Sequence, residues 1–278
     1  MFGWFKSAQT EVTPERRKPV REDFTQPQKV VEMFTALTGI HFDQKEPVIT
    51  AKLIHFSRNH AISSFEELHT RLNNEAELLE ALINYLTVNE TYFFRERDQI
   101  DYCAQKGALN HKDICLLCAP GSTGEEPYSI AIAFLEAGIP AHRIKIVAFD
   151  INTEAIYQAK RATYSHRALN KMEDSLKARY FTQKDNLMHL CDEVKKLVTF
   201  ETCNIFDDQL FALGVFDTIF SRNMLIYFDQ ETANKAIERL AKLAHSNESR
   251  FFFGHADILA MPSFMKEHYE HGVKFYTL

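Results

Sequence analysis

Residues 116–130 of the 278-residue chain read LLCAPGSTGEEPYSI. An apolar run ends in a turn holding Gly121 and Gly124, two adjacent acids follow, and Pro127 opens an apolar pattern of helical period. Strand, tight turn and helix in that order form the nucleotide-binding corner of an α/β sheet. Phosphate sites keep the helix entrance clear for anions, because its free N–H groups and dipole favour negative charge there. Glu125 and Glu126 put two carboxylates at that entrance instead. Such a corner suits a ligand with no phosphate and a positive end, and S-adenosylmethionine, with its ammonium and sulfonium groups, is a cofactor of that kind. The same acids would also suit the first turn of any helix with Pro127 near N1, so both readings stand on this stretch alone.

Further residues with chemistry to offer lie downstream and upstream. Asp150 ends the apolar run IKIVAFD, a position that faces the ligand crevice of an open α/β sheet and commonly binds ribose hydroxyls. It could instead cap the helix that follows. NETYFFRER (89–97) supplies Asn89, Thr91 and Arg95; FETCNIFDD (200–208) supplies Asn204 and Ile205; FDTIFSRNMLIYFD (216–229) supplies Arg222, Asn223 and Tyr227. Taken singly, each has a structural alternative. Arg95 could brace a junction with Glu96, Asn204 could cap a turn, and Tyr227 could be packing after a strand. Tyr92, Phe93 and Phe94 read as core aromatics.

The elements that must position these groups are legible in the pattern. Residues 1–20 read as a flexible, Pro-punctuated polar tail. Four short helical patterns follow over 21–88, one stopping at Gly39 and one opening on Ser64 with Glu67 three residues on, a capping box. The fourth places Leu79, Leu82, Ile83 and Leu86 on one stripe. These helices imply a small all-helical N-terminal domain. From about residue 113 short apolar runs alternate with helical stretches, which implies an α/β fold with a parallel, doubly wound sheet over 89–278. Residues 164–196 break the rhythm, being long, polar and free of Gly; they read as an insertion on the ligand-facing edge.

Composition narrows the function classes. The 45% apolar and 25% charged content is that of a soluble globular protein. A net charge of −6 argues against a nucleic-acid partner. Cys115 and Cys118 have C-x-x-C spacing, but Leu116 and Leu117 between them read as a buried strand and no second pair lies near. Cys103, Cys115, Cys118, Cys191 and Cys203 therefore read as buried reduced thiols, with no metal expected. No apolar run reaches the roughly 18 residues of a membrane span, and the first residues show no signal peptide. A cytoplasmic monomer is the expectation.

The four segments NETYFFRER, STGEEPYSIAI, FETCNIFDD and SRNMLIYFD, in this order and spacing, closely resemble the chemotaxis receptor methyltransferases, the CheR family. The resemblance covers about 20–278. It implies a seven-stranded, mostly parallel class I methyltransferase sheet, a helical N-terminal domain and a small inserted β subdomain. It also implies S-adenosylmethionine-dependent methylation of glutamate side chains on the cytoplasmic helices of chemoreceptors, with S-adenosylhomocysteine as by-product. By residue, it implies that Asn89, Thr91 and Arg95 approach the cofactor or reacting centre, that Glu126 holds the methionine ammonium and Asp150 the ribose, and that Asn204 and Ile205 lie beside the adenine. Arg222, Asn223 and Tyr227 then line the active site, with Arg95 and Tyr227 as its catalytic pair. Alternatives are a methyltransferase of the same fold with another protein or an RNA as acceptor, and a non-catalytic cofactor-sensing module.

The chain departs from the family pattern in three places. The region of the β subdomain that docks a receptor's C-terminal pentapeptide in some members is shorter here and lacks Gly, so no such tether is expected. The basic second helix of the family is reduced to Lys52, His55, Arg58 and His60. Gly254-His255 is followed by Ala256-Asp257 where the family usually carries Ser-Glu.

Overall fold

The computed structural model describes residues 22–42, 45–110, 112–257 and 260–278; the predicted tail over 1–20 lies outside them. The described residues begin with α1 (Gln28–Thr38), α2 (Glu46–Asn59), α3 (Phe65–Asn74) and α4 (Ala76–Leu86). Their apolar faces bury one cluster of their own, with Val30, Phe34, Leu53, Leu68 and Leu82 at its centre. On α4 the buried stripe is Leu78, Leu82 and Leu86, with Leu79 and Ile83 at its flank, one residue round from the predicted stripe. Ser64 caps α3 by accepting from the Glu67 N–H at 3.1 Å. The return bond of the capping box is displaced by one residue, since the Glu67 carboxylate accepts from the Ser63 N–H at 2.9 Å.

Next comes α5 (Arg97–Leu109), which the apolar pattern did not announce because its buried face mixes Gln99 with Ile100, Tyr102 and Cys103. The alternating part then runs β1 (Ile114–Cys118), α6 (Glu125–Glu136), β2 (Ile144–Asp150), α7 (Thr153–Arg161), β3 (Thr163–Tyr164), α8 (Asp174–Tyr180), β4 (Phe181–Lys184), β5 (Leu187–Leu190) and α9 (Asp192–Lys195). It ends with β6 (Val198–Thr202), β7 (Thr218–Ser221), α10 (Gln230–Ala241), β8 (Arg250–Phe253), β9 (Lys266–Glu270) and β10 (Val273–Thr277).

Seven strands form one sheet in the order β6-β2-β1-β7-β8-β10-β9. The first five are parallel and β10 is antiparallel to both β8 and β9. The predicted doubly wound, mostly parallel seven-stranded sheet is therefore present. β9 escaped the pattern because KEHYE is polar and lies on an exposed edge, as edge strands often do. The central strands read as unbroken apolar runs because both faces are covered. Leu116 and Cys118 point into the core under α5, α6 and α7, whereas Leu117 and Ala119 point into the core under α10. Strand order reverses between β1 and β7, and ligands of open α/β sheets bind in the crevice beyond such a switch point.

β3, β5 and β4 make the inserted three-stranded sheet. Its β4–β5 turn is Asp185-Asn186, with φ of 50° and 61°. Asp and Asn tolerate that left-handed conformation, so a two-residue hairpin forms without Gly. The placement of the insertion differs from expectation: no residue of 164–196 lines the crevice. The region instead buttresses the crevice from behind, with the Tyr164 hydroxyl donating to the Thr123 carbonyl at 2.9 Å.

The helical layer is tied to the sheet at the crevice. Asn204 Nδ2 donates to the Leu37 carbonyl at 2.7 Å, and the His41 N–H donates to the Tyr227 carbonyl at 2.8 Å. Between these ties the chain turns at Gly39, whose φ is 73°. A Cβ there would stand 2.5 Å from the Phe206 ring and 2.8 Å from the Thr232 methyl. Gly39→Ala is expected to cost roughly 1–3 kcal/mol from backbone strain and overpacking together. Thermal unfolding should show a Tm several degrees lower; an unchanged Tm would mean that this contact does not fix the helical layer.

Candidate active site

The turn after β1 explains why the glycines sit where they do. The Ala119 N–H donates to the Phe220 carbonyl at 2.8 Å and the Gly121 N–H to the Phe149 carbonyl at 2.6 Å. The turn is thus clamped onto β7 and β2, and a Cβ on Gly121 would meet the Ala148 Cβ at 2.9 Å. Beyond it two adjoining cavities open, of about 230 and 460 Å³. Val88, Pro120, Ser122, Asn223 and Tyr227 border both.

The smaller cavity is mostly apolar. Phe149, Ile151, Cys203, Ile205, Met224 and Phe228 wall it from the sheet side, and Ile40, Phe42, Val48 and Ile49 from the helical layer. Asp150, Asn89 and Asn204 are among its polar groups, with His41, Lys45 and Lys52 on the side of the helical layer. Asp150 accepts from the Ser122 and Asn152 N–H groups, each at 2.9 Å. The cap of α7 is Asn152, which accepts from the Ala155 N–H at 2.7 Å, so Asp150 is free of that duty. Asn204 does close a turn, accepting from the Phe206 N–H at 3.0 Å, while it also ties the helical layer down.

The larger cavity is polar, lined by Glu90, Thr91, Arg95, Glu126, Arg222 and Tyr227 among others. Arg222 is buried, with 1% of its side chain exposed, and its Nε donates to the Glu126 carboxylate, itself 12% exposed. Its Nη1 donates to the Glu96 carbonyl at 3.2 Å and to Gln99 Oε1 at 3.3 Å. Arg95 approaches the same cavity from another side, donating to the Glu90 carbonyl at 3.2 Å with its guanidinium 5.9 Å from the Tyr92 ring centre. Among the described residues Arg95 forms no ion pair, so it does not brace Glu96 as the alternative reading held. Phe93 and Phe94 are buried as core aromatics, whereas Tyr92 borders the polar cavity.

The structure thus gathers Asn89, Thr91, Arg95, Glu126, Asp150, Asn204, Ile205, Arg222, Asn223 and Tyr227 around one two-chambered crevice. Glu125, paired with Glu126 in the sequence reading, turns away. It is buried, accepts from the Thr123 hydroxyl at 2.6 Å and borders neither cavity. Of the two acids at the helix entrance, Glu126 alone borders the crevice.

Three residues at the site were not singled out by their type. Ser122 Oγ is buried without a partner at the mouth of both chambers. Glu96 touches Arg222 across 3.8 Å. Asp257 is buried beneath the β7 loop. Of the five cysteines, all free, Cys103, Cys118 and Cys203 are buried, whereas Cys115 and Cys191 are partly exposed.

The comparisons with known proteins agree with this geometry. Residues 89–273 match the family model described as CheR methyltransferase, SAM binding domain. The chain belongs to the CheR methyltransferase family. It is similar to the chemotaxis protein methyltransferase of Campylobacter jejuni (strain 81-176), at 30% identity over 239 residues, covering 85% of this chain and 90% of that one. It is also similar to chemotaxis protein methyltransferase 2 of Pseudomonas aeruginosa, at 35% identity over 246 residues, 85% of this chain and 86% of that one. For the Escherichia coli K12 chemotaxis protein methyltransferase the figures are 31% over 222 residues and 77% of each chain. The cofactor is S-adenosylmethionine. Its chemistry fits the crevice: Ser122 Oγ, Arg222 Nη2 and Asn223 Nδ2 are buried polar atoms with no protein partner, all on residues that border the chambers. Among the described residues no helix is long and apolar enough to cross a membrane.

Burial pushes Glu126 above its ordinary 4.5 against the pull of Arg222, and Asp150 above its ordinary 3.8 against the Asn152 and Ser122 N–H groups. A carboxyl with a raised value takes up its proton earlier as the pH falls, and the proton removes the charge an ammonium ligand needs. Cofactor affinity should therefore weaken on acidification from a pH above 4.5. The same sign means that any stability owed to the raised values is present at low pH and lost as these groups ionise. Glu126→Gln leaves the Arg222 charge buried against a neutral partner. Calorimetry should show cofactor affinity at least about 10-fold weaker, roughly 1.4 kcal/mol, and its acid limb shifted. Wild-type affinity in this variant would show that Glu126 does not face the ligand.

Proposed function

We propose that this protein is a protein-glutamate O-methyltransferase that esterifies glutamate side chains on the cytoplasmic helices of methyl-accepting chemoreceptors. The observation that carries the reading is Arg95: among the described residues its guanidinium lacks a carboxylate partner, yet it borders the polar chamber together with Tyr227. A guanidinium so placed suits an incoming carboxylate, to which it can donate two parallel hydrogen bonds. The chemotaxis names of the relatives support a receptor as acceptor. Such an acceptor would place the enzyme in the cytoplasm. The reading also divides the chain into a helical domain over 21–88 and a methyltransferase domain over 89–278 with its insertion at 164–196.

In this assignment Glu126 holds the methionine ammonium, Asp150 the ribose hydroxyls, and Asn204 with Ile205 the adenine edge. Asn89, Thr91, Arg222 and Asn223 complete the binding shell. The cofactor supplies an electrophilic methyl group on sulfonium when bound. A glutamate with its ordinary pKa of about 4.3 is already ionised at neutral pH, so the protein need supply no general base. Its task is alignment and exclusion of water, and alignment alone can lower a barrier by about 7–11 kcal/mol in favourable cases. Arg95 orients the carboxylate rather than neutralising it, since tight pairing would blunt the nucleophile. Burial raises Tyr227 above the usual phenol range against the opposing pull of Arg95, which keeps its hydroxyl protonated as a donor and its ring as an apolar wall.

Each turnover removes one negative charge from the acceptor, which relieves like-charge repulsion between packed acidic helices. We infer also that no pentapeptide tether is used, because the inserted hairpin closes on the two-residue Asp185-Asn186 turn.

The test is incubation of the full chain and tritiated cofactor with receptor cytoplasmic fragments that carry or lack the C-terminal pentapeptide. Mild alkali should release the label as volatile methanol at equal rates from both. Arg95→Ala should lower kcat by about 100-fold, roughly 2.7 kcal/mol of transition-state stabilisation, while cofactor still binds. Alkali-stable label, label on RNA, or near-normal turnover in Arg95→Ala would overturn the assignment.

A further inference from the structure

The β7 loop that carries Asn223 and Tyr227 closes in a 3-10 turn at Leu225–Tyr227, with the Tyr227 N–H donating to the Met224 carbonyl at 3.1 Å, but the Asn223 and Ile226 N–H groups point outside that turn to a side chain. Asn223 sits at φ 59°, a left-handed conformation that Asn tolerates better than most residues, and its backbone is held there by a specific partner. The holding group is Asp257. Its Oδ2 accepts from the Asn223 N–H at 2.6 Å and from the Gly254 N–H at 2.9 Å, and its Oδ1 accepts from the Ile226 N–H at 3.2 Å. The residue is only 4% exposed. It borders neither cavity, so it meets neither cofactor nor acceptor.

The space for this carboxylate depends on Gly254. A Cβ there would stand 2.9 Å from Asp257 Oδ2 and 3.0 Å from both the backbone nitrogen and Nδ2 of Asn223. Asn223 Nδ2 is itself buried without a partner where the two chambers meet. One residue further on, the His255 N–H donates to the Glu96 carboxylate, at 3.2 and 3.3 Å to its two oxygens, and Glu96 in turn approaches Arg222. The end of β8 therefore anchors both Asn223 and the Arg222 network through carboxylates.

From this geometry we infer that Asp257 is a positioning residue for the transfer reaction: it sets the backbone of the 223–227 loop and so aims the Asn223 amide and the Tyr227 hydroxyl into the crevice. Binding of the adenosine part is left to Asp150, Asn204 and Ile205 on β2 and after β6, which Asp257 does not touch. The two contributions are thus separable. The inference rests on the activity proposed above for what kcat measures, but not for the state of the loop.

Asp257→Asn turns one acceptor oxygen into an N–H donor that faces backbone N–H groups. With the receptor fragment as acceptor, kcat should fall at least about 10-fold while the affinity for adenosine, whose binding groups Asp257 does not touch, stays within about 3-fold. Amide hydrogen exchange should quicken in 222–228 and remain as in the wild type in β1 and β2. Asp257→Glu, which retains the carboxylate, should recover most of the kcat and the protection. Three results would overturn the inference: unchanged kcat and exchange, quickened exchange throughout the chain with a parallel loss of affinity, or a Glu variant no better than the Asn variant. If the wild type methylates no receptor fragment, the proposed acceptor is wrong, while the exchange comparison of Asp257→Asn and Asp257→Glu still decides the role of Asp257.

Discussion

The contact between Glu126 and Arg222 holds the crevice together. One partner stands at the entrance of α6 after β1 and the other just after β7, so the pair spans the switch point of the sheet. Both charges are almost wholly withdrawn from water. Removing one member of such a pair typically costs about 3–5 kcal/mol, because the survivor is left buried and uncompensated. That coupling makes the two loops one unit. It also opposes the burial that pushes Glu126 above its ordinary range, and so favours the charged form that a cationic ligand requires.

Around this pair the backbone departs from easy conformations. Ser122, Glu96 and Asn223 have φ of 46°, 50° and 59°; Ser122 and Asn223 line the polar chamber, and Glu96 approaches its Arg222. Asn tolerates this region, whereas for Ser and Glu the conformation costs about 1–3 kcal/mol each and survives only when neighbours over-determine it. Here the neighbours are identifiable: Asp150 grips the Ser122 N–H, Asp257 grips the Asn223 N–H, and the Glu96 carbonyl accepts from Arg222. Buried carboxylates receiving backbone N–H groups recur as the device that shapes the crevice. Hydrophobic burial forms the sheet and its helices, and these few polar contacts then decide where the reactive side chains point.

Much of this was readable from the residues. The central strands announce themselves because a parallel sheet covered on both faces needs unbroken apolar runs, and IKIVAFD and DICLLCA are such runs. Gly39 and Ser64 mark helix ends through local backbone chemistry, and Asp150 ends its strand as expected. What escaped depends on partners distant in sequence. α5 packs a mixed polar face because Gln99 reaches Arg222 and the Phe253 carbonyl, more than 120 residues away. Glu125 and Glu126 are indistinguishable as letters, yet one turn of the helix entrance sends the first to Thr123 and the second to the crevice. Asp257 was visible only as a departure from a family pattern; its three N–H donors come from two loops that meet only in the folded chain.

Everything proposed for this chain requires that the acidic corner between β1 and α6 select a phosphate-free, cationic nucleoside over phosphorylated ones. Isothermal titration of the full chain with S-adenosylhomocysteine, NADH and ATP in turn measures this directly. A single saturable site for S-adenosylhomocysteine, with no detectable heat from the two phosphorylated ligands, is the predicted result. Saturable binding of NADH or ATP that displaces S-adenosylhomocysteine would contradict it.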